Sequence, residues 1–252
     1  MFSIALTLLC AAPVEPWSPP QEDTDKESMA EPEWEGDFGA GLSISSGNTD
    51  LRNLHALVDA ELKKEQRRYS LGFHWQYADE AEDGPRELLE RHADAEGQVD
   101  FFLDENEKAY YLVTADAETD HQAKLDLRYS LGVGYGYQAV EEEVWSLSIE
   151  AGASGINVEF DGGAEDSYLS GRFSYSLERS LGERWTLSQE GEVFPSFEEA
   201  EDVFVEVDTR LRCNFSDNLY GQFQWIYDWD NTPADDAERE DHRLLFSVGY
   251  SF

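Results

Sequence analysis

The sequence predicts an all-β fold, a single antiparallel transmembrane β-barrel of about twelve strands in meander order. Three observations point to it. From Trp34 to Phe252 apolar residues recur with a period of two, and no helical stripe exceeds three turns. No apolar run reaches the roughly 18 residues that a membrane-crossing helix needs, whereas a barrel strand hides only alternate residues and is compatible with the mean hydropathy of −0.59. The last stretch puts His242, Leu244, Phe246, Val248, Tyr250 and Phe252 on one face and Arg243, Leu245, Ser247, Gly249 and Ser251 on the other. A strand so placed is either an edge or the closing strand of a sheet without edges, and the second reading fits the rest of the chain.

Composition narrows the function classes. Eighteen Lys and Arg against 55 Asp and Glu give a formal charge of −37, which argues against a nucleic-acid partner. An acidic chain this polar would be disordered if it lacked large apolar groups, but 14 Phe, 12 Tyr and 7 Trp must be placed somewhere. Of the two cysteines, Cys10 falls in an expected leader and Cys213 reads as a small apolar filler on a strand face, so no disulfide framework is expected.

In chain order, residues 1–12 carry a short apolar run, Phe2 to Ala12, and read as a signal peptide that lacks a basic flank. Residues 13–35 are rich in Pro, Glu and Asp and read as a disordered linker. Residues 36–252 form the barrel. Twelve strands are expected near 36–46, 51–63, 67–78, 91–103, 108–119, 124–138, 143–155, 166–179, 184–194, 202–215, 218–229 and 240–252. Tyr69, Leu71, Phe73, Trp75 and Tyr77 alternate with Ser70, Gly72, His74 and Gln76. Leu125 to Tyr137 alternate with Asp126, Arg128, Ser130 and three glycines, and Leu219, Phe223, Trp225 and Tyr227 alternate with Tyr220, Gln222, Gln224 and Asp228. One face suits lipid and the other a wet lumen. The fifth strand departs from this, because Tyr110 and Leu112 fall on its inner face. With the first strand starting in the periplasm, connections near Lys64, Glu105, Glu141, Leu181 and Asp217 are expected to be short. Of the remaining six, those near Gly84, Gly162, Glu198 and Asp235 are expected to be longer surface loops, while those near Gly47 and Asp120 are short.

The lumen faces are strongly acidic. Asp59, Glu61, Asp94, Glu96, Asp100, Asp116, Glu118, Asp126, Glu150, Glu178, Glu190, Glu192, Glu206, Asp208 and Asp228 are expected there, against Arg128, Arg172, Arg210 and Arg212. Such a lining would attract cations if the lumen conducts, and an ion-paired, water-filled lumen without transport is an equal alternative. The five histidines, His55, His74, His92, His121 and His242, show no pair at a spacing that one element brings together, so no catalytic, cofactor-binding or metal residues are expected. The run Asp79 to Gly84 with Glu90 partly overlays a calcium loop, but Ala81 stands at a ligand position. Acidic runs of this kind read as solvated loops, with weak divalent-cation binding as the alternative.

Three motifs carry a family resemblance. Gly41 to Asp50, with Ser46-Gly47-Asn48-Thr49 at a hairpin tip, Tyr129 to Tyr137, and the Val248-Gly249-Tyr250-Ser251-Phe252 ending span the chain from about residue 35. Together they resemble the outer-membrane family called domain of unknown function 481, whose members are often named salt-induced outer membrane proteins. The resemblance implies a barrel in the bacterial outer membrane, with outer-membrane lipid and the barrel-assembly machinery as partners and Tyr250 and Phe252 as an assembly signal. It implies no substrate and no cofactor. The functional expectation is a non-enzymatic envelope protein or narrow cation-favouring pore. A surface that binds divalent ions or a partner, a lipid hydrolase, and a soluble barrel with its aromatic face inward stay open as alternatives.

Overall fold

The computed structural model describes residues 34–45, 50–81, 85–198, 202–233 and 238–252. The expected signal peptide, the linker up to residue 33 and the hairpin tip Ser46 to Thr49 lie outside these residues. The twelve strands are β1 Glu35–Ser45, β2 Asp50–Lys64, β3 Arg67–Ala81, β4 Glu87–Phe102, β5 Ala109–Asp120, β6 Leu125–Glu141, β7 Trp145–Phe160, β8 Glu165–Ser180, β9 Trp185–Pro195, β10 Val203–Asn214, β11 Leu219–Asp230 and β12 Glu240–Ser251. Each pairs antiparallel with its neighbours in sequence, and β1 pairs with β12, so the sheet is a closed barrel. Closure runs from Ala40 opposite Val248 to Asp37 opposite Ser251. It is extended by Gly36 N–H donating to Phe252 C=O at 3.1 Å and Phe252 N–H donating to Gly36 C=O at 2.9 Å.

Side chains sort as the period-two pattern requires. Leu131, Val133, Leu244 and Phe246 are 63–67% exposed on the outside, whereas Tyr110, Gln224 and Ser247 on the inside are at most 1% exposed. The aromatic and branched apolar residues therefore face outward and the polar ones inward, which is the polarity of a barrel surrounded by hydrocarbon. A soluble barrel would need the opposite arrangement, and that alternative is overturned.

Several strands run further than expected at the end away from Gly36 and Phe252: β3 reaches Ala81, β4 starts at Glu87 and β7 reaches Phe160. A membrane strand needs only about 9–11 residues to cross the hydrocarbon, and β7 has 16. Its tip projects beyond the apolar belt, where outward residues such as Glu159 need not be apolar, and the alternation fades there although the pairing continues. One expected long loop shrinks as a result. The β7–β8 connection is only residues 161–164, turned by Gly162 and Gly163 at φ of 98° and 83°.

Inside, glycines on one strand receive bulky side chains from the next. The Tyr110 ring lies over Gly136, where an added Cβ would sit 2.2 Å from it, and the Tyr220 ring covers Gly249 in the same way. Gly155, on the outer face, has only Leu169 near it, at 3.8 Å. Gly136→Val is expected to destabilise the barrel by about 1–3 kcal/mol through overpacking, and Gly155→Ala to leave it within about 0.5 kcal/mol. Urea unfolding in lipid vesicles, followed by Trp emission, measures the difference.

Candidate functional site

The lumen is where the chain concentrates its chemistry. A cavity of about 1210 Å³ runs from Trp34, Glu35 and Phe252 at one mouth to Tyr168, Phe194 and Ile226 deep inside. Its walls come from the inward positions of all twelve strands, so a carboxylate at every second residue meets others across the ladder and across the lumen.

Among the described residues, six arginines enter this space, and each lies in ion-pair range of a carboxylate. Arg68 Nη2 is 2.7 Å from Asp100, Arg172 reaches Glu150 at 2.7 Å and also Glu192, and Arg212 Nη1 is 2.8 Å from Asp37. Arg128 pairs with Glu118, and Arg243 with Asp228. Arg210 is the hub. Its Nε donates to Asp208 at 2.8 Å, Nη1 to Asp59 on β2 at 3.2 Å, and Nη2 lies 3.3 Å from His74 Nε2 on β3. These contacts bridge strands far apart around the wall. Stacking adds to the lattice, with the guanidinium of Arg212 3.7 Å from the Tyr220 ring centroid and that of Arg128 4.2 Å from the Phe204 centroid. Gln98, Tyr110 and Ser174 also donate to Glu150, at 3.0, 2.8 and 3.0 Å.

Two apolar clusters interrupt the polar lining. Phe102, Tyr110 and Leu112 pack together, which accounts for the odd inner face of β5. Leu125, Ile156 and Val158 form the other cluster, with Phe194 and Tyr168 against it.

Of the lumen charges expected from sequence, Arg128, Glu206, Asp208, Arg210 and Arg212 line the cavity. Asp126 does not, and its placement is a correction. The β5–β6 register shifts between Glu118 and Asp120, and the β6–β7 register between Leu125 and Leu127. The extra residue flips the parity at the start of β6, so Leu125 turns inward and Asp126 stands exposed. Arg68 and Arg243 were absent from the expected cation set, although both are in phase with the polar residues of their strands, Ser70 and Ser247. Tyr250 is exposed on the outer face and Phe252 sits at the closing seam.

Two of the five histidines, on different strands, meet at one carboxylate. His74 on β3 is paired opposite Asp94 on β4, and His92 lies two residues before Asp94. His74 Nδ1 is 3.0 Å from Asp94 Oδ2, and His92 Nε2 is 3.1 Å from Asp94 Oδ1. Asp59 lies 3.6 Å from the other nitrogen of His74, and Asp120 3.1 Å from that of His92. A chain of alternating carboxylate and imidazole groups, Asp59–His74–Asp94–His92–Asp120, thus runs along the wall across β2 to β5. The partial calcium-loop match breaks up: Asp79 pairs with Arg86, while Glu90 is in the lumen, accepting from Gln76 Nε2 at 2.8 Å.

Removing the hub strands its partners. Arg210→Met is expected to cost about 3 kcal/mol or more, because Asp208 and Asp59 lose their shared cation. Urea unfolding of the folded barrel measures the loss.

A family model described as "Protein of unknown function, DUF481" matches residues 38–252. No curated protein sequence matches the chain. Among solved structures, an outer membrane channel from Pseudomonas putida F1 aligns over 92% of this chain and 99% of its own, at 11% identity and a TM-score of 0.51. The NanC porin aligns over 86% and 98% at 10% identity and a TM-score of 0.47. The translocator domain of the autotransporter NalP from Neisseria meningitidis aligns over 87% and 86% at 10% identity and a TM-score of 0.45.

Proposed function

Because the chain belongs to the DUF481 family, whose description assigns no function, its role has to be read from its own lumen, and we propose that it is a non-enzymatic bacterial outer-membrane barrel acting as a narrow, cation-favouring passage. One observation carries the reading. Glu35, Glu178 and Glu190 line the cavity, are exposed to its interior and make no ion pair among the described residues, while each of the six lumen arginines is already matched by a carboxylate. The field left over is negative, and in a narrow space with low-dielectric walls it concentrates cations and repels anions. The Arg210 and Arg212 bridges narrow the path, which favours small ions over large solutes. The outer-membrane location is supported by the apolar outer face and the family. The P. putida channel shares the fold, and the passage reading rests on the lumen of this chain rather than on that likeness.

Planar-bilayer recording tests it. In a KCl gradient the reversal potential is expected to indicate K⁺ preference. The triple change Glu35→Gln, Glu178→Gln, Glu190→Gln is expected to lower that preference severalfold while leaving the heat-modifiable migration of a folded barrel intact. Anion preference, or silence across salts and voltages, would contradict the proposal.

A further inference from the structure

The same lumen contains a set of donor atoms that the arginine ion pairs leave out. His92 Nδ1, Glu118 Oε1 and Asp120 Oδ2 converge, all lying within 4.8 Å of one another. Nδ1 is 3.1 Å from the Asp120 oxygen and 3.9 Å from the Glu118 oxygen. The residues come from β4 and β5, where His92 is paired directly opposite Asp120 and Glu118 is two residues along on the same face.

The far side of each group is held by something else. His92 Nε2 lies 3.1 Å from Asp94 Oδ1, and the second oxygen of Asp94 faces His74. Arg128 donates to Glu118 Oε2. Asp120 Oδ1 accepts the backbone N–H groups of Gln122 at 2.7 Å and Ala123 at 3.0 Å. Each group is therefore oriented from behind by a different partner and turns one further N or O atom to a common point. A carboxylate behind the imidazole is the usual outer partner of a metal-bound histidine, because it fixes the ring and its tautomer. His92 is 5% exposed, and His92 and Glu118 border the large cavity, which provides a route for an ion from water.

We propose that His92, Glu118 and Asp120 form a binding site for one divalent transition-metal ion, with Asp94 orienting His92 as a positioning residue. One imidazole and two carboxylates supply mixed nitrogen and oxygen donors, which suit Zn²⁺ and its first-row neighbours better than Ca²⁺ or Mg²⁺. Glu118 and Asp120, with Asp94 behind the imidazole, offset the charges of the ion and of the Arg128 guanidinium. Coordination at Nδ1 replaces a proton there, so binding releases a proton and weakens as pH falls. Water and solutes in the lumen complete the coordination, since the protein offers three donors.

Isothermal titration of the folded full-length barrel with ZnCl₂ tests the assignment without reference to conduction. The expected result is one saturable Zn²⁺ site per chain that Ca²⁺ does not displace. Affinity is expected to fall roughly tenfold or more in Asp94→Asn, and further in His92→Ala and in the near-isosteric Asp120→Asn. His55→Ala, which changes another lumen histidine outside the donor set, is expected to bind as the parent does. Heat-modifiable migration identifies the variants that fold, and Asp120→Asn keeps the test decisive if His92→Ala does not. Absence of saturable Zn²⁺ binding, or binding that survives both His92→Ala and Asp120→Asn unchanged, would overturn the assignment.

Discussion

Everything in this fold depends on closing the backbone hydrogen-bond ladder. In hydrocarbon an unpaired N–H or C=O has no water to turn to, so a sheet survives there only if its first and last strands pair. The seam between β1 and β12, extended by the reciprocal Gly36–Phe252 bonds, supplies that pairing. Once the ring is closed, each strand has one face to lipid and one to the interior, and the alternation of side chains divides the chain into two surfaces of opposite chemistry. The low mean hydropathy, which on a helical protein would argue against a membrane, is the average of those two surfaces.

The interior is then a small space with more carboxylates than cations. Side chains cannot leave it, so charge compensation has to be local, and the arginines achieve it by reaching across. Arg210 ties β10 to β2 and β3, and Arg212 ties β10 to β1. These bridges narrow the lumen as well as balance it. Among the described residues, the cavity-lining carboxylates that stay without a cation include Glu35, Glu178 and Glu190. The same wall aligns His74 and His92 about one carboxylate, because residues paired across adjacent strands are brought as close as i, i+2 neighbours on one strand.

Much of this was legible in the sequence. A period of two is a direct consequence of strand geometry, so strand number, meander order and which residues share a face followed from the pattern, even at the irregular β5, whereas which face meets lipid needed the structure. What was not legible depends on register. The shift near Leu125 turns Asp126 outward, and no local feature of Asp126 distinguishes it from Arg128 two residues later. The histidine pairing was hidden for the same reason. His74 and His92 are 18 positions apart, and only the β3–β4 register makes them neighbours of Asp94. The shortened β7–β8 connection was hidden because the strand tip passes beyond lipid and loses the apolar half of its pattern. Arg68 and Arg243, by contrast, were readable, since both keep the phase of their strands.

The central claim is that the apolar face is outside and the charged face encloses the lumen. Nitroxide labels attached singly at Leu131→Cys and Ser130→Cys, in a Cys10→Ser, Cys213→Ser background in lipid vesicles, test it most directly. The two neighbours point to opposite faces, Leu131 being 67% and Ser130 4% exposed. The account predicts that the label at 131 collides readily with oxygen, which dissolves in hydrocarbon, and poorly with a water-soluble nickel chelate, and that the label at 130 does not share that preference for oxygen. Equal accessibilities, or the reverse order, would contradict it.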